Sequence, residues 1–414
     1  MVVGKIIKFY REKSGFSQEM LCEGICSKSY LSRFESGKVT FTSEIIALFS
    51  ERLGIDLNEK LESYNRIGKH LNELNLAIIK QRSKCIEDNF NQLKNIPFIM
   101  STKYAVEYSL LLARFYLYKK MFKKAKQTIE RIEKEFVHLN EYEKNFLLHV
   151  KGIYFISIYR TTVCEDMRDA VRVLNQINNG VYKNEEYYYH LALAYYFAGS
   201  KLLAFMYARK SLKYFNSNHN YVQALNAQSL LLFQYDNEQD MPFEELIEKY
   251  QSLIRSCDRV GAQIQKGILL NNLGVKYFKR RDFEVASKCF EQSLHITENK
   301  SIYYLRRYYN YIEACLEGNL LEKTELLKLI NLGSKLAEKY ESSIHRTLFM
   351  LLKLNCERNQ KEYYKFLSEV AIPQFKSTNN ISYYEQYGKK LYSYYIQSNQ
   401  FENAIELELQ FNPL

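Results

Sequence analysis

Proline and glycine are scarce. Four prolines and fifteen glycines in 414 residues supply too few turn-formers for a protein of many strands, and the abundance of Leu, Lys, Glu, Tyr and Asn reads as an almost wholly helical chain. Long apolar runs are also missing. The opening MVVGKIIKFYREK is interrupted by Lys5 and Lys8, which excludes a signal peptide or membrane span there, so a cytoplasmic location without a membrane partner is expected. The eight cysteines form no CxxC pair and have no histidines at ligand spacing, which argues against disulfides and structural zinc. All eight are expected in the core, Cys22 and Cys26 packing around a turn. The chain carries no phosphate-cradling glycine loop, HExxH pair or nucleophile elbow, and its carboxylate pairs fall on solvated helix faces. No enzyme, metal or cofactor is expected.

What is present is ample material for a core, 47% apolar residues, and a formal charge of +11 with a pI near 9.0, a modest bias towards an acidic partner. The stretch Ser17 to Gly37, SQEMLCEGICSKSYLSRFESG, reads as two short helices around a tight turn. Ile6, Ile7 and Tyr10 recur at helical spacing before Gly15, which stops a first helix. Ser17 caps the second helix, with Met20 and Leu21 on its inner side. Gly24 permits the turn, Ile25 plugs the angle, and Ser27 caps the third helix. Leu31 and Phe34 face inward along that helix, leaving Lys28, Ser29, Ser32 and Arg33 outside. A fourth helix is expected over Ser43 to Leu53 and a connecting helix over Leu57 to Gly68.

Gln18, Leu21, Ser27, Tyr30-Leu31-Ser32, Glu35 and Gly37 resemble the Xre/Cro-type helix-turn-helix, in the version carried by PlcR-like and NprR-like regulators, over residues 1 to 66. The resemblance implies that the third helix enters the major groove. Lys28, Ser29 and Arg33 would then face base edges, Arg33 as a bidentate partner of guanine, while Gln18, Ser27 and Lys38 would hold phosphates. Residues 1 to 41 carry seven lysines and arginines against four glutamates, a net charge of only +3. One copy should bind weakly, so a homodimer or tetramer on a palindromic double-stranded operator is expected. The alternative is a module that binds another protein.

Beyond it, an internal pattern recurs: Leu273, Gly274, Tyr277, Ala286 and Phe290 place an aromatic three residues after a small residue and a second small residue twelve after it. The same offsets hold at Ala113, Tyr116, Ala125 and Ile129 and at Ala192, Tyr195, Ala204 and Ala208, and more loosely at Tyr392, Tyr395 and Ala404. This is a tetratricopeptide signature, in which small residues let two antiparallel helices approach and the aromatic fills the gap. The anchors lie 79, 82 and 118 residues apart, two, two and three units of about forty residues. The fold expected is therefore all-α: the helix-turn-helix domain, then a right-handed tetratricopeptide superhelix over residues 70–414, with about eight or nine helical hairpins. The many tyrosines and phenylalanines, among them Tyr303-Tyr304, Tyr308-Tyr309 and Tyr363-Tyr364, fall at packing positions and are read as core and groove lining.

The array resembles the peptide-sensing domain of the RRNPP regulators, the Rap, Rgg, NprR, PlcR and PrgX group, and with the amino-terminal motif the likeness spans the chain. It implies a short signalling peptide bound on the concave face by side chains that clamp its backbone. Positions counted from the small anchors that would point inward are Arg114, Tyr189, His190, Asn271, Asn272, Lys389 and Lys390, and Asn226 and Asn310 in neighbouring units extend an asparagine ladder. The function implied is a quorum-sensing transcriptional regulator. Two alternatives stay open: a protein-interaction regulator that binds a phosphorelay response regulator, and a phage or plasmid repressor controlled by a peptide.

Overall fold

The computed structural model describes residues 2–162, 167–235, 241–296, 302–378 and 380–411. Among them every regular element is a helix, and none is long and apolar enough to cross a membrane. The chain divides into two compact units, Met1–Tyr154 with Gln176–Lys183, and Phe155–Asn175 with Asn184–Leu414.

The first unit begins with helices α1 (Val2–Lys13), α2 (Gln18–Cys22), α3 (Lys28–Glu35), α4 (Ser43–Leu53) and α5 (Leu57–Ile79). Local chemistry sets their ends. Ser17 Oγ accepts the N–H of Met20 and Ser27 Oγ that of Tyr30, at 3.1 and 3.3 Å. Asp56 Oδ1 accepts from Asn58 and Glu59 at the start of α5. Ile7, Leu21, Cys22, Leu31, Phe34, Phe49 and Leu53 form a buried core with Ile25 packed against it. Gly4 lets α1 cross α3: a Cβ there would stand 2.2 Å from the Phe34 carbonyl oxygen. The connecting helix does not stop near Gly68 but runs to Ile79, because buried Leu71, Leu74, Ala77 and Ile78 keep its apolar stripe going. Helices Ser83–Lys94, Ala105–Tyr118 and Phe122–Glu135 follow, closed by fully buried Ala113 and Ala125 and by Phe90 stacked on Phe115 with centroids 3.7 Å apart.

The second unit repeats one motif: a helix followed by a second helix that returns along it. Successive pairs are Tyr187–Phe197 with Lys201–Ser217, Tyr221–Phe233 with Phe243–Val260, Gln263–Lys279 with Phe283–Ile296, and Ile302–Glu317 with Lys323–Lys339. Ser343–Cys356 packs on Gln360–Phe366, and Ile381–Gln397 on Phe401–Phe411. Small residues sit at the closest approaches. Ala192, Ala204 and Ala208 are fully buried, and Cβ atoms at Gly274 and Gly333 would fall 2.6 and 2.3 Å from the rings of Phe290 and Phe349.

The turns inside the hairpins share a cap. In the first unit Gln81 and Lys120, and in the second Arg281, Asn319, Arg358 and Asn399, take positive φ between 49° and 63°. The next N–H bonds back five residues, Met121 to Tyr116, Ser200 to Tyr195, Asp282 to Tyr277 and Gln400 to Tyr395. This is a Schellman closure, and the aromatic picked out by the sequence pattern is the residue whose carbonyl accepts.

Some expectations need correction. Cys85 is exposed and Cys26 half-exposed, so neither is a core residue, whereas Cys22, Cys257, Cys289, Cys315 and Cys356 are buried. Cys85 lies in the first turn of an amphipathic helix whose buried positions are Ile86 and Leu93. Tyr392 is 36% exposed rather than a packed anchor; it is far larger than the alanines and glycine at the matching positions. Cys164 and the side chain of Tyr303 lie outside the described residues.

Candidate DNA-reading and peptide-binding surfaces

The helix-turn-helix is held by a buried charge network. Arg11 Nε donates to Glu35 Oε1 at 2.5 Å, Arg11 Nη2 to Glu35 Oε2 at 3.0 Å, and Gln18 Nε2 to the same oxygen at 2.8 Å. Arg11 and Glu35 are 8% and 4% exposed, so the pair ties α1, α2 and α3 together out of water. Arg52 of α4 donates to the carbonyls of Leu21 and Glu23 at 2.8 and 2.6 Å, pinning the turn between the helices. Neither tie was singled out from sequence, since an Arg or Glu on an amphipathic helix looks like any solvated charge.

The outer face of α3 carries the expected readers. Lys28, Ser29, Ser32 and Arg33 are exposed. Lys28 Nζ donates to Glu19 at 2.6 Å; this exposed partner raises the lysine pKa and lowers that of Glu19, and such a pair opens readily. Ser27 and Ser29 hydroxyls share a hydrogen bond of 3.2 Å. Arg33 and Lys38 are exposed and form no ion pair among the described residues. Gln18 differs from the others, since its amide nitrogen serves Glu35.

Of the proposed peptide contacts, Arg114 belongs to the first unit, where it is 4% exposed and donates to Asn75 Oδ1 at 3.1 Å. The other eight belong to the second unit. Asn310 Nδ2 donates to Asn271 Oδ1 at 3.1 Å, joining the helices Ile302–Glu317 and Gln263–Lys279. Asn272 Nδ2 lies 3.4 Å from Ser229 Oγ, reaching the helix Tyr221–Phe233. On that helix Asn226 donates to Gln223 at 2.8 Å. Three neighbouring helices are thus linked by a ladder of neutral amides and a hydroxyl. Tyr189 and His190 are half-buried with their rings 5.6 Å apart, and Tyr189 packs edge-on to Phe215. Lys389 is exposed.

Beside the ladder stands a carboxyl the sequence reading missed. Glu313, one turn after Asn310, accepts from Tyr309 Oη at 2.7 Å, and Tyr309 and Tyr387 hydroxyls meet at 2.6 Å. Burial pushes the Glu313 pKa up to about 7 against the opposing pull of the Tyr309 hydrogen bond and Lys390. Its signal lies only in the tertiary pairing with a residue 78 positions from Tyr309.

A helix-turn-helix family profile matches residues 7–60. Over 412 residues the chain is 22% identical to the transcriptional activator NprA of Geobacillus stearothermophilus, covering 93% of this chain and 96% of that protein. Among solved structures, NprR in complex with its cognate peptide NprX superposes with a TM-score of 0.66 at 21% identity, over 83% of this chain and 99% of that one. A Rap protein complexed with competence and sporulation factor does so with a TM-score of 0.69 at 13% identity, over 84% and 96%. The fold is that of these helical-repeat proteins, with a helix-turn-helix at the amino end.

Proposed function

We propose that this chain, which joins a helix-turn-helix to the helical-repeat fold of the RRNPP regulators, is a quorum-sensing transcriptional regulator whose repeat helices bind a short signalling peptide. The observation that carries the reading is the pairing of two surfaces: an exposed face on α3 and the ladder Asn310, Asn271, Asn272 and Ser229 across neighbouring helices, with Asn226 on the same helix as Ser229. Side-chain amides offer a donor and an acceptor each, the two groups an extended peptide backbone presents. The likeness to a transcriptional activator along nearly the whole chain supports the same reading.

Residues 1–66 read DNA and residues 70–414, as eight or nine hairpins, sense the peptide. Lys28, Ser29 and Arg33 meet base edges, and Ser27 and Lys38 hold phosphates. Gln18 acts through Glu35 and can reach a phosphate only by giving up that bond. A cytoplasmic homodimer or tetramer places two modules on the half-sites of a palindromic operator. The peptide acts by its difference in affinity between two arrangements; a full switch takes about 5.5 kcal/mol.

The test is the double substitution Lys28→Ala with Arg33→Ala in the full chain. Duplexes selected from a random library by the wild type should lose at least tenfold in affinity, at roughly 1–3 kcal/mol per base contact, while peptide binding stays unchanged. Undiminished DNA binding would remove α3 as the reading helix. Lost DNA binding with an intact effect on a response regulator's phosphorylation would move the function to protein interaction.

A further inference from the structure

The helix-turn-helix is poor in free cations. Of the seven basic side chains in residues 1–41, Arg11 is bound to Glu35, Lys28 to Glu19, and Lys8 stands 3.9 Å from Glu12. Affinity for duplex DNA is set largely by phosphate neutralisation, so further cations are needed. One more, Lys103, lines a cleft of about 400 Å³ on the same compact unit, together with Lys5, Ser36, Gly37, Thr102 and the apolar Ile6 and Phe98. Among the described residues no carboxylate lines it.

Two segments distant in sequence meet there. Ser36 and Gly37 end α3: Gly37 takes φ +74° and its N–H bonds to the Phe34 carbonyl, while the Lys38 N–H bonds to that of Arg33. A helix about 10–12 Å across fills a major groove about 12 Å wide, so the turn leaving the recognition helix abuts the phosphate wall. Opposite it, Thr102 Oγ1 donates to the Ile99 carbonyl at 2.7 Å and accepts from the Tyr104 N–H at 3.1 Å, fixing the turn that presents Lys103. Tyr104 is itself seated against Gly68 and Tyr64. Lys103 is exposed, its ammonium 5.1 Å from the Tyr104 ring centroid and in no ion pair among the described residues.

We propose that Lys103, with Lys5, binds a backbone phosphate of the DNA beside the bases read by α3, so that the footprint is shared by the helix-turn-helix and a turn some forty residues beyond it. This rests on the DNA-reading function. A lysine on a phosphate acts as a point charge: it strengthens binding to every sequence and adds one unit to the salt dependence.

The experiment compares full-length wild type, Lys103→Ala, Lys103→Arg, Arg33→Ala and Lys84→Ala on two probes, a duplex selected by the wild type and a mixed-sequence 40-base-pair duplex. Lys84 opens the helix that returns along α5 from Ile79, and the stretch of α5 from Tyr64 in the cleft wall to Ile79 spans about 22 Å at 1.5 Å per residue, so Lys84 stands away from the cleft and controls for net charge. Lys103→Ala should weaken both duplexes by the same factor. Between 50 and 200 mM salt its affinity should fall about 3.5-fold less than that of the wild type, the share of one phosphate. Lys103→Arg should restore the wild-type slope, and Lys84→Ala should keep it. Arg33→Ala should weaken the selected duplex alone. If Lys103→Ala matches the wild type in affinity and slope while Arg33→Ala loses discrimination, this inference fails and the DNA-reading function stands. A wild type that retains no duplex overturns both. Equal losses in Lys103→Ala and Lys84→Ala would show net charge at work and overturn the phosphate contact.

Discussion

The helix-turn-helix and the repeat helices of the second unit solve the same packing problem with opposite chemistry. The module binds its helices with a buried ion pair, Arg11 and Glu35, and with Arg52 on two backbone carbonyls. The repeats rely on small residues under aromatic rings, Gly274 under Phe290 and Gly333 under Phe349, and cross-link neighbouring helices with neutral amides. A buried charge cannot exchange its partner without a large desolvation cost. A half-buried neutral amide can trade one hydrogen bond for another at little net cost. The contrast is between helices locked by a buried charge pair and helices joined by neutral amides that can exchange partners.

The largest effect should come from breaking the charge network. Glu35→Ala leaves Arg11 buried and uncompensated, a loss of about 3–5 kcal/mol. Hydrogen exchange should show protection lost across α1 to α4 and kept in the repeat helices; loss in both would deny that the two regions are held independently. Next is Glu313. Its folded pKa of about 7 lies above the ordinary value of 4.5, so its neutral form is favoured in the fold. That contribution is fully present below about pH 4.5 and lost as pH rises through 7. Glu313→Gln, neutral throughout, should gain roughly 3 kcal/mol at pH 8 and nothing near pH 4.5, measured by urea unfolding followed in the second unit.

The exchangeable ladder is tested more gently. Asn271→Ala with Asn272→Ala should lower affinity for a short peptide selected by the wild type from a random library by about ten- to a hundredfold, at roughly 1 kcal/mol per hydrogen bond, with the helix content unchanged by circular dichroism. Calorimetry with equal affinities would take these residues out of the site. The smallest effect is at a turn. Arg281 holds φ +63° without being glycine, and Arg281→Gly should stabilise the hairpin by about 0.5–1 kcal/mol, seen as a higher midpoint of unfolding.

Much of the module was legible because its signals are local. Ser17, Ser27 and Gly24 mark caps and a turn within a few residues, and α4 falls over Ser43–Leu53 as the pattern indicates. The repeats were legible where small and aromatic residues keep their offsets, as at Ala192, Tyr195, Ala204 and Ala208. Their turns were not, because Gln81, Lys120, Arg281 and Arg358 take a backbone conformation that glycine usually announces. The site was half visible: asparagines could be picked out by register, but the bond between Asn271 and Asn310 spans 39 positions.

Sequence alone determined the helical class, the capped helix-turn-helix with its polar outer face, and a repeat of about forty residues, since each follows from side-chain periodicity and short-range backbone chemistry. Only the tertiary structure decided that Arg11 and Gln18 serve Glu35, that burial beside Tyr309 and Tyr387 raises the Glu313 pKa to about 7, and that Lys103 shares a cleft with Ser36 and Gly37 at the end of α3. Those depend on which distant residues share a low-dielectric contact, and a charge on a helix face carries no mark of the partner that burial will give it.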